Sequence, residues 1–168
     1  GTSGVNSIGS FQLSQLNSSS VQAQLKAAGI NTNSKQYKSA VKQMMSAGNG
    51  AMYGNIQGIK NLMSHYDKDG DYINPVNGLS GLLVTDENES SRKKIISIPD
   101  SSKEEMYELT KKEFLRENGV CNGDTTRRSD VYNNLYRKMQ KKDRLAAGYT
   151  LEKYERIYRQ AFYDAAKT

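Results

Sequence analysis

The spacing of apolar residues predicts helices along most of the chain. Between residues 19 and 66, apolar positions recur at steps of three and four in three stretches, which is the period of an amphipathic helix. Serine precedes the first two stretches and glycine follows them, as at the ends of capped helices. The three predicted helices cover residues 19–28, 34–47 and 52–66.

The last third of the chain has the same helical period. A capping-box pattern at residues 101–105 begins a helix that is expected to end near Glu117. Another helix is expected after Ser129, with Gly148 as its breaker. Thr150 then begins a final helix with a broad apolar face. The pattern therefore predicts five to six helices in all.

Between these helical regions lie two short β-prone runs. Residues 82–85 and 95–98 are rich in β-branched and apolar side chains, and a charged stretch separates them. We therefore predict a small two-stranded β-hairpin near residues 82–98. The predicted fold class is mainly α, a single-domain helical bundle with that hairpin.

The start of the chain differs from the rest in composition. Residues 1–18 are mostly Gly, Ser, Asn and Gln, with few apolar residues, so they are predicted to form a flexible N-terminal arm that docks through Phe11 and Leu16. Residues 19–168 are predicted to form the single helical domain. A chain of 168 residues is long enough for such a core.

Composition adds limits on packing and compartment. The chain has no Trp, three Phe and eleven Tyr, so tyrosine has to supply much of the aromatic packing. Its single cysteine excludes an intrachain disulfide and fits the cytoplasm as well as a bacterial exported protein. The sequence has no apolar run of the roughly 20 residues that span a bilayer. Compartment and oligomeric state are not assigned.

One stretch has a specific chemical pattern. Asp67, Asp69 and Asp71 alternate with other residues, and Ile73 closes the run. In a helix–loop–helix calcium site, loop positions 1, 3 and 5 give side-chain oxygens and position 7 gives a backbone carbonyl. The stretch resembles the first half of an EF-hand or dockerin-type calcium loop. The sequence therefore predicts a calcium site at these four residues.

The second half of the loop departs from that motif. Tyr72 replaces the glycine of position 6, Pro75 occupies position 9, and Gly78 replaces the bidentate glutamate of position 12. The following residues cannot continue as a helix. A complete site therefore needs an oxygen from elsewhere, and Glu87 and Glu89 are the predicted donors.

Two other interpretations of the acidic stretch remain open. Asp and Gly are common turn residues, so the stretch also fits an ordinary acidic turn without metal. An Asp-x-Asp catalytic pair, as in haloacid-dehalogenase-like phosphatases or metal-dependent glycosyltransferases, is the third alternative. It is disfavoured because such aspartates follow a buried strand, whereas an amphipathic helix precedes this loop.

No residue pattern predicts a catalytic centre or an organic cofactor. His65 is the only histidine, and Cys121 stands in a glycine-rich turn without a neighbouring base. The glutamates of residues 104–113 alternate with lysines, as on a solvated helix face. The protein is therefore predicted not to be an enzyme.

A basic segment offers a different function. Residues 127–144 carry seven arginines and lysines against two aspartates, with Tyr132 and Tyr136 among them. Such a segment can bind a phosphate backbone and stack bases. Nucleic acid is nevertheless disfavoured, because the two tyrosines lie close to the apolar face of the predicted helix.

Three motifs resemble a family of uncharacterised bacterial proteins. They are YDKDGDYI at residues 66–73, KEFLRENG at 112–119 and NGDTT at 122–126. The resemblance covers most of residues 20–167 and implies a bacterial origin without an activity.

Three function hypotheses follow, in order of preference. The first is a non-enzymatic bacterial module, stabilised by calcium, that serves protein interaction or an exported or surface assembly with an unidentified protein partner. The second is a basic helical protein that binds nucleic acid or another partner without metal. The third is an Asp-x-Asp metal-dependent enzyme.

Overall fold

A computed structural model describes residues 10–48, 52–115 and 126–167. The chain divides into two compact units, Gly1–Ser80 and Gly81–Thr168, and each unit is described by itself. The predicted fold class is confirmed: the protein is mainly α, with one small antiparallel sheet of two strands among the described residues. The single-domain organisation stays a prediction.

Among its described residues, the first unit contains three α-helices and the two-stranded sheet. The side chains of Ser18 and Ser34 accept hydrogen bonds from the first turns of the first two helices, at 3.2 Å from Val21 N and 3.1 Å from Tyr37 N. Such bonds satisfy amides that have no partner inside the helix. In chain order the elements are β1 (Phe11–Gln12), α1 (Ser19–Ala27), α2 (Lys35–Ala47), β2 (Tyr53–Gly54) and α3 (Ile56–Met63).

The second half of the predicted N-terminal arm belongs to the core of the first unit, and Phe11 and Leu16 are buried there as the predicted docking requires. Phe11, Leu13 and Leu16 expose only 7%, 4% and 2% of their surface. The Leu13 amide also donates to the Met52 carbonyl at 2.8 Å. The burial of these three apolar side chains stabilises the docked segment, although the residues between them are mostly polar. Residues 1–9 lie outside the described residues.

The third helix begins later than predicted. Residues 52–55 were expected to be helical, but Tyr53 and Gly54 pair with β1 in the antiparallel register Phe11↔Gly54 and Gln12↔Tyr53. Asn55 then caps α3, since its Oδ1 accepts from the Gly58 amide at 2.7 Å. Pairing with a distant segment therefore overrides the local helical pattern.

The predicted hairpin near residues 82–98 is absent, and the sheet of β1 and β2 lies elsewhere in the sequence. The Asn88 side chain makes two hydrogen bonds to the preceding backbone. Its Oδ1 accepts from the Thr85 amide at 2.8 Å, and its Nδ2 donates to the Leu83 carbonyl at 3.1 Å. On the other run, the Ile96 amide bonds to a helix side chain, Thr150 Oγ1, at 3.0 Å. Backbone groups of both runs thus have partners other than a strand.

The second unit contains the helices α4 (Asp100–Leu115), α5 (Thr126–Lys138) and α6 (Arg144–Lys167). Their shared core includes Met106, Leu135 and Leu151, each fully buried. The break expected at Gly148 is wrong, since α6 runs through it. A Cβ there would lie 2.7 Å from the Tyr136 hydroxyl, so this glycine lets α5 approach α6.

Candidate metal centre

The acidic stretch forms a closed loop directly after α3. Tyr66 and Tyr72 form an isolated antiparallel bridge, and their rings meet edge to face with centroids 5.9 Å apart. Inside this bridge, the Asp67 amide donates to the Asp71 carbonyl and the Gly70 amide donates to the Asp67 carbonyl, both at 2.9 Å. The backbone of residues 66–72 therefore forms a closed turn that contains the three aspartates.

The three carboxylates converge. Each offers an oxygen atom, and these atoms all lie within 4.8 Å of one another. Asp67 orders the loop as well, because its Oδ1 accepts from the amides of Asp69 at 3.0 Å and Asp71 at 2.9 Å. Asp67 and Asp71 are half-buried and Asp69 is exposed. Carboxylate oxygens brought together in this way are ligands that Ca²⁺ prefers.

Helix α2 holds the loop from one side. Ser39 Oγ donates to the Gly70 carbonyl at 2.7 Å, and Gln36 Nε2 donates to the Tyr66 carbonyl at 2.9 Å. Gly70 has φ +82°, and a Cβ there would lie 2.8 Å from Ser39 Oγ and 3.0 Å from the Lys35 carbonyl oxygen. Both the backbone conformation and the close approach therefore require glycine at this loop position.

A second tight turn follows the acidic loop. The Gly78 amide donates to the Asn74 carbonyl at 2.7 Å, and the Asn74 amide donates to the Leu79 carbonyl at 2.9 Å. Gly78 has φ +72°. The expectation that no helix follows the loop is confirmed. Pro75 and Gly78, which stand at motif positions 9 and 12, both lie in this turn, so the loop lacks the second half of an EF-hand.

The other predicted ligands are Ile73, which lies in the first unit, and Glu87 and Glu89, which lie in the second unit. The Ile73 amide donates to the His65 carbonyl at 2.8 Å, and Ile73 forms an isolated bridge with Ser80. Glu87 and Glu89 are exposed residues of the second unit, where the Glu89 amide donates to the Thr85 carbonyl at 2.9 Å. Ligation by Ile73, Glu87 or Glu89 stays a prediction.

Of the two residues considered for catalysis, His65 and Cys121, the structure describes His65. His65 is exposed just beyond the end of α3, and its amide donates to the Leu62 carbonyl at 3.0 Å. Cys121 lies outside the described residues.

Sequence reasoning missed a charged network in the second unit. The Glu155 side chain is only 8% exposed and lies 3.5 Å from Arg128 Nη1 and 2.9 Å from Arg159 Nη2. Arg128 also pairs with Glu113, whose side chain is 13% exposed. Glu113 is therefore not on a solvated face as predicted. The helical spacing of glutamates and lysines on α4 gave no signal of partners on α5 and α6.

A tyrosine completes this network. The Tyr132 hydroxyl donates to Glu155 Oε1 at 2.9 Å. Burial raises the pKa of Tyr132 far above its usual range, and the negative charge of Glu155 raises it further. Two carboxylates face two guanidinium groups here, so the charges balance. We interpret the network as a structural link between α4, α5 and α6.

The basic segment is only partly available to a ligand. Arg137, Lys138 and Lys142 are exposed, although Lys138 Nζ lies 3.7 Å from Glu105 Oε2. Tyr132 packs against the apolar core as predicted, and its ring centroid lies 6.3 Å from that of Tyr136. Both tyrosines are half-buried within the unit.

Comparisons with known proteins identify a family of unknown function. The family described as Domain of unknown function (DUF3879) matches residues 30–168. No curated protein and no solved structure matches the chain. Among the described residues, no helix combines the length and apolar character needed to cross a membrane.

Proposed function

The chain belongs to the family described as Domain of unknown function (DUF3879), and we propose from its own residues that it is a non-enzymatic interaction module whose acidic loop binds calcium. The observation that carries the metal part is the convergence of the carboxylates of Asp67, Asp69 and Asp71 within 4.8 Å. The interaction part is supported by large apolar side chains on the surface of the second unit. Leu83, Ile95 and Ile157 expose 56%, 63% and 59% of their surface.

Electrostatic repulsion favours a cation at the loop. Three ionised carboxylates this close repel one another, and a dication would replace that repulsion by attraction. Asp67 Oδ1 already accepts two backbone amides, so the loop is ordered before a metal arrives. Less of the binding free energy is then spent on ordering the chain.

The ligand set favours calcium over magnesium and predicts weak binding. Calcium takes six to eight oxygens in a flexible geometry, whereas magnesium demands a near-ideal octahedron. Three carboxylates fill half of a calcium shell or less, and the Ile73 carbonyl and water are proposed for the remainder. We expect a dissociation constant on the order of 10⁻⁴–10⁻³ M, as in extracellular modules. An exported or surface assembly is the setting that suits this affinity.

The proposal of a non-enzymatic role rests on the residue inventory and on the context of the loop. The chain has one histidine and one cysteine, and its acidic loop follows an amphipathic helix, α3, in place of a buried strand. Purified protein is expected to leave generic phosphatase, esterase and protease substrates unchanged. Turnover that disappears in Asp67→Asn or Asp69→Asn would instead favour the Asp-x-Asp enzyme.

Calcium titration calorimetry on the full chain tests the metal site. We expect saturable binding of one calcium ion, with magnesium at the same concentration binding more weakly. Asp69→Asn removes one converging carboxylate and should weaken calcium binding by at least about tenfold, which corresponds to about 1.4 kcal/mol. Asp164→Asn is the matched control, because Asp164 is an exposed aspartate of α6. Equal binding by both variants would contradict the proposed site.

A further inference from the structure

Residues 95–98 have the side-chain alternation of a strand but no strand beside them. Ile98 is 5% exposed and buried in the core, and Ile96 packs against that core, whereas Ile95 is 63% exposed and Ser97 is exposed as well. Alternation with a period of two is the pattern of an extended chain with one face on a core. The described residues contain no strand paired with this segment.

Helix α6 occupies one edge of this segment and, among the described residues, leaves the other edge open. Thr150 Oγ1 accepts from the Ile96 amide at 3.0 Å and donates to the Lys94 carbonyl at 3.2 Å. In an extended chain, backbone groups of alternate residues point to the same side, so those of Ile95 and Ser97 point away from Thr150. No backbone hydrogen bond to Ile95 or Ser97 occurs within the described part of the chain.

Positive charge lies at one end of the open edge. Arg92, Lys93 and Lys94 directly precede Ile95, and Lys93 and Lys94 are exposed. Among the described residues none of the three forms a salt bridge, and Arg92 Nε is buried without a hydrogen-bond partner. Carboxylates on an incoming segment would match these cations.

We propose that Ile95–Ser97 is a docking edge for an extended, acidic segment of a partner protein, which pairs with this edge as a strand. Backbone bonds would give affinity, and the adjacent cations would select carboxylates at one end of the segment. The inference deepens the interaction part of the proposed function and rests on it, but it does not require calcium.

The chemistry of the edge favours this occupant over two others. Phosphate groups of a nucleic acid would match the cations, but they offer no donors for the carbonyl groups of Ile95 and Ser97 and no apolar contact for the exposed Ile95 side chain. A second copy of this chain carries the same net charge of +6, so repulsion disfavours edge-to-edge pairing of two copies.

Fluorescence anisotropy with synthetic peptides tests the docking edge on the full chain. The probes are two labelled peptides of alternating Thr and Val, with three glutamates at the N-terminus in one and at the C-terminus in the other. We expect at least one of them to bind. Its lysine-substituted version, and a version N-methylated on alternate residues of the pairing edge, should each bind at least about tenfold more weakly.

Variants of the protein locate the binding. Ser97→Pro removes an outward amide and should weaken binding at least about tenfold, while the extended residue before it accommodates proline. Ser97→Ala keeps the amide and should bind within about twofold of the unchanged protein. The N-methylated peptide gives the same test on the unchanged protein, so the result does not depend on the folding of the proline variant.

The outcomes separate this inference from the calcium proposal. If the acidic peptide still binds in the presence of a chelator, the docking edge is supported whatever the calcium titration shows. If the chelator abolishes peptide binding, the claim that the docking edge does not require calcium is overturned. Absence of binding by both acidic peptides would overturn the inference. If the N-methylated peptide binds as tightly as the unmethylated acidic peptide, the inference is overturned in favour of a surface that recognises charge alone. If a labelled oligothymidine binds more tightly than the acidic peptides and Lys93→Glu abolishes its binding, the inference is overturned in favour of a phosphate-binding surface.

Discussion

Ser39 Oγ donates a hydrogen bond to the carbonyl oxygen of Gly70 at 2.7 Å. This bond joins the middle of α2 to the residue between the second and third aspartates of the acidic loop. The position of the loop is therefore set by a helix that precedes it by about thirty residues in sequence and not only by its own turn-forming residues.

Ser39→Ala should loosen the acidic loop. The change removes the hydroxyl donor from the half-buried Gly70 carbonyl, so we expect a loss of about 1 kcal/mol in the free energy of unfolding and weaker calcium binding. Urea unfolding monitored by circular dichroism measures the first effect. Ser46→Ala is the control, because Ser46 lies on the same helix and its Oγ donates to the Gln43 carbonyl of that helix, at 3.0 Å. Equal losses in the two variants would contradict the role of Ser39.

Gly70→Ala should destabilise the protein more than Gly29→Ala. Both glycines have positive φ, +82° and +84°, so an alanine at either position costs about 1–2 kcal/mol of backbone strain. Only Gly70 has neighbours close to the added Cβ, while nothing lies within 4 Å at Gly29. The difference between the two variants in urea unfolding therefore isolates the contact with α2. A Gly29→Ala variant as unstable as Gly70→Ala would show that the contact contributes nothing.

Thr150→Val should release residues 94–96 from α6. The fully buried Thr150 hydroxyl donates to one backbone group and accepts from another, so we expect a loss of about 1–3 kcal/mol in the free energy of unfolding. Amide hydrogen exchange at Ile96 should become faster. Thr150→Ser keeps the hydroxyl and should protect Ile96 as before. Unchanged exchange in the valine variant would mean that the hydroxyl does not hold this segment.

Tyr132 should make the protein sensitive to alkali. Burial, followed by the charge of Glu155, raises the pKa of Tyr132 in the folded protein above its unfolded value of about 10. Its contribution to stability is therefore complete below about pH 10 and is lost as the pH rises towards the folded pKa. Urea midpoints between pH 8 and 11 should fall less steeply in Tyr132→Phe than in the unchanged protein. Tyr163→Phe, at an exposed position, should keep the steep fall, and equal slopes in all three would contradict this account.

The first two helices and the acidic loop were predictable because their signals are local. Ser34 caps α2 at the predicted start, and α1 begins at the predicted Ser19 with Ser18 as its cap. The loop owes its turn to Asp67 and Gly70, which act within a few residues of one another. Residue type and spacing carry that information directly.

The sheet, the long last helix and the charged network depend on contacts between distant residues. Gly54 pairs with Phe11 instead of continuing a helix, and α6 continues through Gly148, where Tyr136 packs close to the glycine. Glu155 meets cations of α5 and of its own helix only in the folded unit. A sequence pattern reports the local preference at such positions but not the partner that overrides it.

Thermal unfolding with calcium and with chelator tests the central claim most directly. Calcium at ten times its dissociation constant should stabilise the fold by about 1.4 kcal/mol, which raises the melting temperature by about 3–5 °C for a chain of this size. Asp69→Ala should lose this shift, and Asp164→Ala should keep it. No shift at about 10 mM calcium, or an equal shift in Asp69→Ala, would contradict the account and leave the acidic loop as an ordinary turn.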